Sequence, residues 1–290
     1  MIFSMWSKTK TNIGRSSPPL SVSGTMLTHT GCVRELNEDV VAYRLPARGA
    51  SVKEDMLALV ADGMGGHAAG EVASALAAET IFNTYFGQSG SPAQRLTASL
   101  TNANKAIFEH GQSDPACNGM GTTCTILAIR DDQVFLGHVG DSRAYLLRDG
   151  KLRQISEDHS MVAQMVRDGL LTKEQAAKSP DRNIILRSLG NQPRVEPAVF
   201  REGMQLNAGD VLLLCSDGLS DVVTDNIIET ATRDLPPFEA CQSLIESALT
   251  AGAPDNVSVG VFAVSADQAL ASDSVRATRP MVAPINGAEP

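Results

Sequence analysis

Two hydrophobic periods alternate along this chain. Leu57–Val60 is continuously apolar, and the run then breaks into Asp62-Gly63, a glycine pair and an alanine-rich segment reaching Phe86. That pattern predicts a buried strand, a turn and a helix. A second helix is predicted over Pro92–His110. From Gly119 the period shortens, and TTCTILAI, QVFLGHVG, SRAYLLRD and KLRQI follow one another across turns at Asp131-Asp132 and Asp149-Gly150. Short runs closed by such turns predict an antiparallel meander. Strand patterns resume over Glu196–Arg201 and in VLLLCSDG, and VSVGVFAV supplies a last strand. Between them, Pro237–Leu249 puts Cys241, Leu244, Ile245, Ala248 and Leu249 on one helical face.

With 290 residues, 43% of them hydrophobic, the chain can bury the core of one large domain, expected over residues 25–266. Residues 1–24 carry Lys8, Lys10 and Arg15, no acid and a Ser-Ser-Pro-Pro stretch, and are expected to be a flexible basic arm. Residues 267–290, rich in Ala, Ser and Pro, are expected to be a disordered tail. The polar, mixed-charge segment 158–190 reads as a lid over a site, or equally as a plain surface excursion. A net charge of −9 argues against nucleic acid as a partner. Five scattered cysteines without a C-x-x-C pair point to a reducing compartment, and no run of apolar residues is long enough for a membrane span. The opening MIFSMWSKTK has the wrong order for a secretory signal, so a cytoplasmic location is expected by default.

The candidate chemistry lies in the acids. Asp62 sits at the mouth of a core strand, and Arg95 is the one Lys or Arg between Met56 and Leu100. Desolvating an uncompensated carboxylate costs on the order of several kcal/mol, so Asp62 needs a cation from elsewhere. Gly63 permits close backbone approach or positive φ, which lets its carbonyl join as a ligand. Taken alone, an Asp-Gly here is better explained as a strand-to-helix turn in which Asp62 caps helix donors. Yet Glu38, Asp39, Asp62, Asp141, Asp217 and Asp255 all fall at ends of predicted strands, three of them beside glycine. Glu38 and Asp39 are adjacent and point to opposite strand faces, so one of them acts directly and the other through water. An all-oxygen set selects hard ions, Mg2+ or Mn2+, and a two-metal cluster of this kind serves phosphoester hydrolysis. Arg34 is placed to bind phosphate oxygens bidentately. The rival pair Cys124 and Arg130 has the C-x5-R spacing of thiol phosphatases. The intervening TILAI is a β-branched, apolar stretch rather than a glycine-rich cradle, which assigns Cys124 to a core strand.

The ordered motifs R-x-x-x-E-D, V-A-D-G-M-G-G, G-T-T, G-D-S-R, S-D-G and D-N, spread over Met26–Val264, resemble the metal-dependent serine/threonine protein phosphatases of type 2C, the PPM family, in their bacterial form. The resemblance implies an α+β fold, a four-layer αββα sandwich of two central antiparallel sheets flanked by helices, with metals in a cleft at one end. It implies that Asp62 bridges two core ions, that Asp217 and Asp255 hold the first, and that Glu38 and the Gly63 carbonyl hold the second. Asp39 would act through a water, and Asp141 with Asp217 would hold a third ion. Arg34 matches the phosphate-binding arginine. Animal members have a histidine where Met64 stands, so protonation of the leaving group falls to a water or to His67, for which a locally bonded helix-start histidine is the plainer reading. The implied function is hydrolysis of phosphoserine and phosphothreonine by a monomer with no membrane partner, opposing a serine/threonine kinase on that kinase's targets. A catalytically weak regulatory binding module of the same fold is the alternative, and an acid-rich nuclease is disfavoured by the lack of a basic groove.

Overall fold

The computed structural model describes residues 20–45, 55–65 and 69–266. In chain order, β1 (Leu20–His29), β2 (Asp39–Arg44) and β3 (Met56–Met64) precede two long helices, α1 (Ala69–Gly87) and α2 (Pro92–Ser113). The short β4 (Gly121–Thr122) leads to β5 (Cys124–Arg130), β6 (Gln133–Val139), β7 (Arg143–Arg148) and β8 (Lys151–Gln154). Then come α3 (Met161–Arg167), α4 (Lys173–Ala177), β9 (Ala198–Val199), β10 (Met204–Gln205) and β11 (Val211–Cys215). The chain closes with α5 (Asp217–Ser220), α6 (Asp225–Asp234), α7 (Pro237–Thr250) and β12 (Val257–Ala266).

The strands form two antiparallel sheets, one ordered β1-β12-β11-β7-β8 and the other β10-β6-β5-β3-β2, with β4 and β9 paired at its margins. Three apolar layers hold the sandwich together. Leu57, Leu59 and Ala61 of β3 face α1 and α2, whereas Ala58 and Val60 face the opposite sheet through Leu212, Leu214 and Phe262. A strand buried on both faces needs an unbroken apolar run, which is why β3 does not alternate. Beyond the second sheet, Val257, Val259 and Val261 pack on Leu244, Ile245 and Ala248 of α7. In α1 the alanines Ala69, Ala73 and Ala77 recur every fourth residue and are buried, so this helix can lie close on the sheet. Helix α2 starts sharply because Ser91 and Gln94 form a capping box ahead of Pro92. It then buries Leu96, Leu100, Ala103 and Ile107 on one face.

The αββα arrangement agrees with the expected fold class, and three local expectations are corrected. Strands β5 to β8 are not one meander but two hairpins in different sheets. Both hairpins have the predicted two-residue turns, with positive φ at Asp131 and Asp132 and at Asp149 and Gly150. The chain changes sheet at Gly140, whose φ of +112° an L side chain rarely adopts. Leu20–Gly24, assigned to the flexible arm, pair with Phe262–Ala266 as the start of β1. Strand β3 continues through Asp62 and Gly63 to Met64 instead of ending before them, because β4 pairs with Gly63 and Met64. Helix α6 adds an element beyond those expected: the ten residues DNIIETATRD bury Ile228, Ala231 and Thr232 on one face. The expectations for residues 1–19 and for the tail 267–290 lie outside the described residues. No helix among the described residues is long and apolar enough to cross a membrane.

Candidate metal centre

All the sequence-predicted acids gather at one end of the sandwich, and the strand registers explain how. Asp39 at the start of β2 lies directly across from Asp62 in β3. The Gly63 N–H donates to the Glu38 carbonyl at 3.1 Å, while the Glu38 N–H donates to Asn256 Oδ1 at 2.8 Å. That second bond ties the Glu38 loop to the Asp255-Asn256 turn before β12. Asn256 Nδ2 also donates to the carbonyls of Thr30 and Leu36, which fastens the Arg34 loop at both ends. Asp217 opens α5 directly after β11, the strand next to β12. Asp141 lies in the passage between sheets, one residue after Gly140.

Neutral side chains hold the acids in place. Ser216 Oγ donates to Asp39 Oδ2 at 2.8 Å and accepts the Ser258 N–H at 3.0 Å. The Asp62 N–H donates to Thr123 Oγ1 at 3.0 Å, and the Asp62 carbonyl accepts from Thr123 N–H and from Thr122 Oγ1, both at 2.9 Å. Thr123 Oγ1 is hydrogen-bonded in turn to Ser142 Oγ at 2.7 Å, so the G-T-T and G-D-S-R motifs form one buried network under the site. Gly63 is required for close approach rather than for positive φ: a Cβ there would collide with the carbonyls of Gly70 and Glu38. None of Ser216, Ser258, Thr122, Thr123, Ser142 and Asn256 was singled out from sequence, although most stand inside motifs that were.

The electrostatics call for cations. Asp39 and Asp141 are buried, and Glu38, Asp62, Asp217 and Asp255 are half-buried. Burial and then mutual repulsion push Asp62, Asp141 and Asp217 above the ordinary carboxylate range. Asp39 is pushed up by burial although the serine hydroxyls oppose it, and Glu38 is raised by burial against the pull of Arg34. Among the described residues one ion pair reaches the six acids, Arg34 Nη2 to Asp255 Oδ2 at 2.7 Å. The other nearby arginines are engaged elsewhere. Arg143 pairs with Asp158, not with Asp141, its Nη2 donating to Oδ2 at 2.7 Å and its Nε to Oδ1 at 3.2 Å, and Arg182 reaches Asp221 at 3.6 Å. Glu38 Oε1, Asp39 Oδ1, Asp141 Oδ1 and Asp217 Oδ1 are buried without a hydrogen-bond partner. Orphaned carboxylate oxygens from three separate chain segments are the donor set of hard divalent ions, so the residues fit such ions.

Two rival groups fall away or lie elsewhere. Cys124 is fully buried and its thiol is raised by burial, while Arg130 lies at the far end of β5, about 20 Å away at the rise of a strand. Met64 is the half-buried last residue of β3. His67 lies outside the described residues.

Comparison with known proteins agrees with this geometry. A family model described as protein phosphatase 2C matches residues 35–251. The serine/threonine protein phosphatase PstP of Mycobacterium tuberculosis is 43% identical over 232 residues, which are 80% of this chain and 43% of that protein. The chain thus spans less than half the length of that relative. Protein phosphatase PhpP of Streptococcus pneumoniae is 34% identical over 250 residues, covering 84% of this chain and 98% of PhpP. Among solved structures, the catalytic domain of serine threonine protein phosphatase PstP in complex with two manganese ions superposes with a TM-score of 0.75 at 38% identity, covering 85% of this chain and 99% of that one. The sandwich, the acids at its end and the matched sequence place this chain in the protein phosphatase 2C family.

Proposed function

We propose that this chain is a metal-dependent protein serine/threonine phosphatase. The observation that carries the reading is the group of four partnerless buried carboxylate oxygens on Glu38, Asp39, Asp141 and Asp217. Asp62 would contribute to both core ions, Asp217 and Asp255 would hold the first, and Glu38 with the Gly63 carbonyl would hold the second. Asp39 would act through a water, and Asp141 would share a third ion with Asp217. When bound, the ions, Mg2+ or Mn2+, make water a nucleophile at neutral pH and offset charge on the phosphoryl oxygens. Ser216 keeps Asp39 turned toward the site, and Thr123 fixes the backbone of Asp62. Arg34, about half exposed on the rim, presents its fork to the incoming phosphate.

Segment 158–190 serves as the flap beside the site. Asp158 anchors its start to Arg143, Leu189 pairs with Thr122 at its end, and Arg182 reaches Asp221 one turn beyond Asp217. The substrates are phosphoserine and phosphothreonine proteins in the cytoplasm. The enzyme acts in signalling as a monomer that opposes a serine/threonine kinase and dephosphorylates its targets. A regulatory binding module could lose its acids freely, whereas every one is retained here. The test is hydrolysis of a phosphothreonine peptide by the purified chain. Turnover that requires Mn2+ or Mg2+ and disappears in Asp62→Asn supports the reading, and a folded, metal-loaded protein that binds the peptide without cleaving it overturns it.

A further inference from the structure

Helix α2 ends where three side chains of different donor chemistry meet. His110 lies in its last turn, Asp114 caps it, and Cys117 closes the 3-10 turn Pro115–Cys117 that follows. One ligand atom from each lies within 4.8 Å of the other two. The backbone fixes this arrangement, since the Asp114 N–H donates to the His110 carbonyl and the Cys117 N–H to the Asp114 carbonyl, both at 3.0 Å. Asp114 Oδ1 accepts the Ala116 N–H at 2.9 Å. Its Oδ2 points to the Cys117 Sγ, 3.8 Å away. A tetrahedral zinc ion, with metal–sulfur and metal–oxygen bonds of about 2.3 and 2.0 Å, would separate those two atoms by about 3.5 Å. A small side-chain rotation closes that difference, and His110 is exposed and has room to turn its ring toward the pair.

We propose that His110, Asp114 and Cys117 form a second metal site, for a borderline ion of the Zn2+ class, with its fourth position open to water. The nitrogen, oxygen and sulfur donors separate it in kind from the all-oxygen centre, which suits Mg2+ and Mn2+. On binding, the Cys117 thiol loses its proton to solvent as the sulfur–metal bond forms, and the S–H contact to Asp114 is replaced by two bonds to one cation. The site stands at the head of the segment that positions Asp62. The Met120 N–H donates to the Cys117 carbonyl at 3.1 Å, Gly121 and Thr122 pair with Met64 and Gly63, and Thr123 takes the Asp62 N–H. An ion here braces the end of α2 against that segment and raises the stability of the fold. It takes no part in hydrolysis.

Cobalt substitution tests this, because a thiolate bound to Co2+ gives a near-ultraviolet charge-transfer band that carboxylates cannot give. The parent is the Cys32→Ser protein saturated with Mg2+, since Cys32 is the exposed thiol and Cys124, Cys215 and Cys241 are fully buried. Titration should develop the band to saturation at about one equivalent, and Zn2+ should abolish it. Cys117→Ser should remove the band. His110→Ala, a change at an exposed residue, should weaken cobalt binding about tenfold or more. Zinc should raise the melting midpoint of the parent, by less in His110→Ala at the same concentration, and not in Cys117→Ser. A folded parent that gives no band, a band that survives Cys117→Ser, or affinity unchanged in His110→Ala overturns the proposal.

Discussion

Arg34 Nη2 lies 2.7 Å from Asp255 Oδ2, so the guanidinium proposed to receive phosphate is paired with a carboxylate proposed to hold a core ion. Burial opposes the Arg34 charge, and Asp255 together with Glu38 and Asp62 more than restores it. A cation held by Asp255 would weaken that pair and leave the Arg34 fork available to phosphate. Arg34→Ala should therefore raise KM for a phosphothreonine peptide by about ten- to a hundredfold, the value of one charge-assisted contact, with a smaller change in kcat. Calorimetry on the same variant should find core metal affinity undiminished. An unchanged KM would remove Arg34 from the substrate site.

Asp62 and Asp141 should separate under mutation, since Asp62 lies across from Asp39 in the middle of the cluster and Asp141 enters from the passage between sheets. Asp62→Asn should abolish turnover together with tight metal binding. Asp141→Ala should keep two tightly bound ions and lower turnover on phosphopeptide substantially. If Asp141 only supports its turn, the melting midpoint falls while the folded fraction keeps its specific activity. Melting, metal stoichiometry and turnover on one preparation decide between these outcomes.

Much of this site was legible because each acid sits beside a short motif at a predicted strand end. Asp62-Gly63 after LALVA and Asp217-Gly218 after VLLLC are local signals. The partners that orient the acids are not local. Ser216 reaches Asp39 from 177 positions away and Asn256 reaches Glu38 from 218, distances that only the paired sheets close. The same limit explains the meander. Turn residues fix the hairpins β5–β6 and β7–β8, but nothing within Val139–Arg143 states that Gly140 carries the chain into the other sheet. The strand at Leu20–Gly24 was hidden for a similar reason: SVSG is a weak pattern that becomes a strand through its long pairing with β12.

The raised carboxylates fix the sign of a pH effect. A group whose folded pKa exceeds its unfolded one favours the folded state at low pH and ceases to do so as pH rises through the folded value. For Asp39, Asp62, Asp141 and Asp217 the window runs upward from about pH 4. The chelated protein should thus lose melting temperature as pH rises from about 5 through neutrality. Added Mn2+ should raise the midpoint more at the upper end of that range than at the lower, because protonated acids do not bind it. A midpoint in chelator that climbs with pH would contradict this assignment.

The Arg143–Asp158 pair should act through the fold rather than through the metals. Its side chains are 26% and 11% exposed, so Arg143→Ala leaves a mostly buried carboxylate without its cation. The loss should be about 2–4 kcal/mol of stability, below the full cost of breaking a buried pair because water reaches part of it. Asp158→Asn in the same background should recover part of the loss. Denaturant unfolding of the single and double variants measures the coupling.

The central claim, that the orphaned acids hold catalytic ions, is tested most directly by titrating Mn2+ into chelator-stripped protein while following hydrolysis of a phosphothreonine peptide. Turnover should be absent in chelator and should rise in step with occupancy of the core sites. Full turnover in excess chelator, with the sites shown empty, would contradict it.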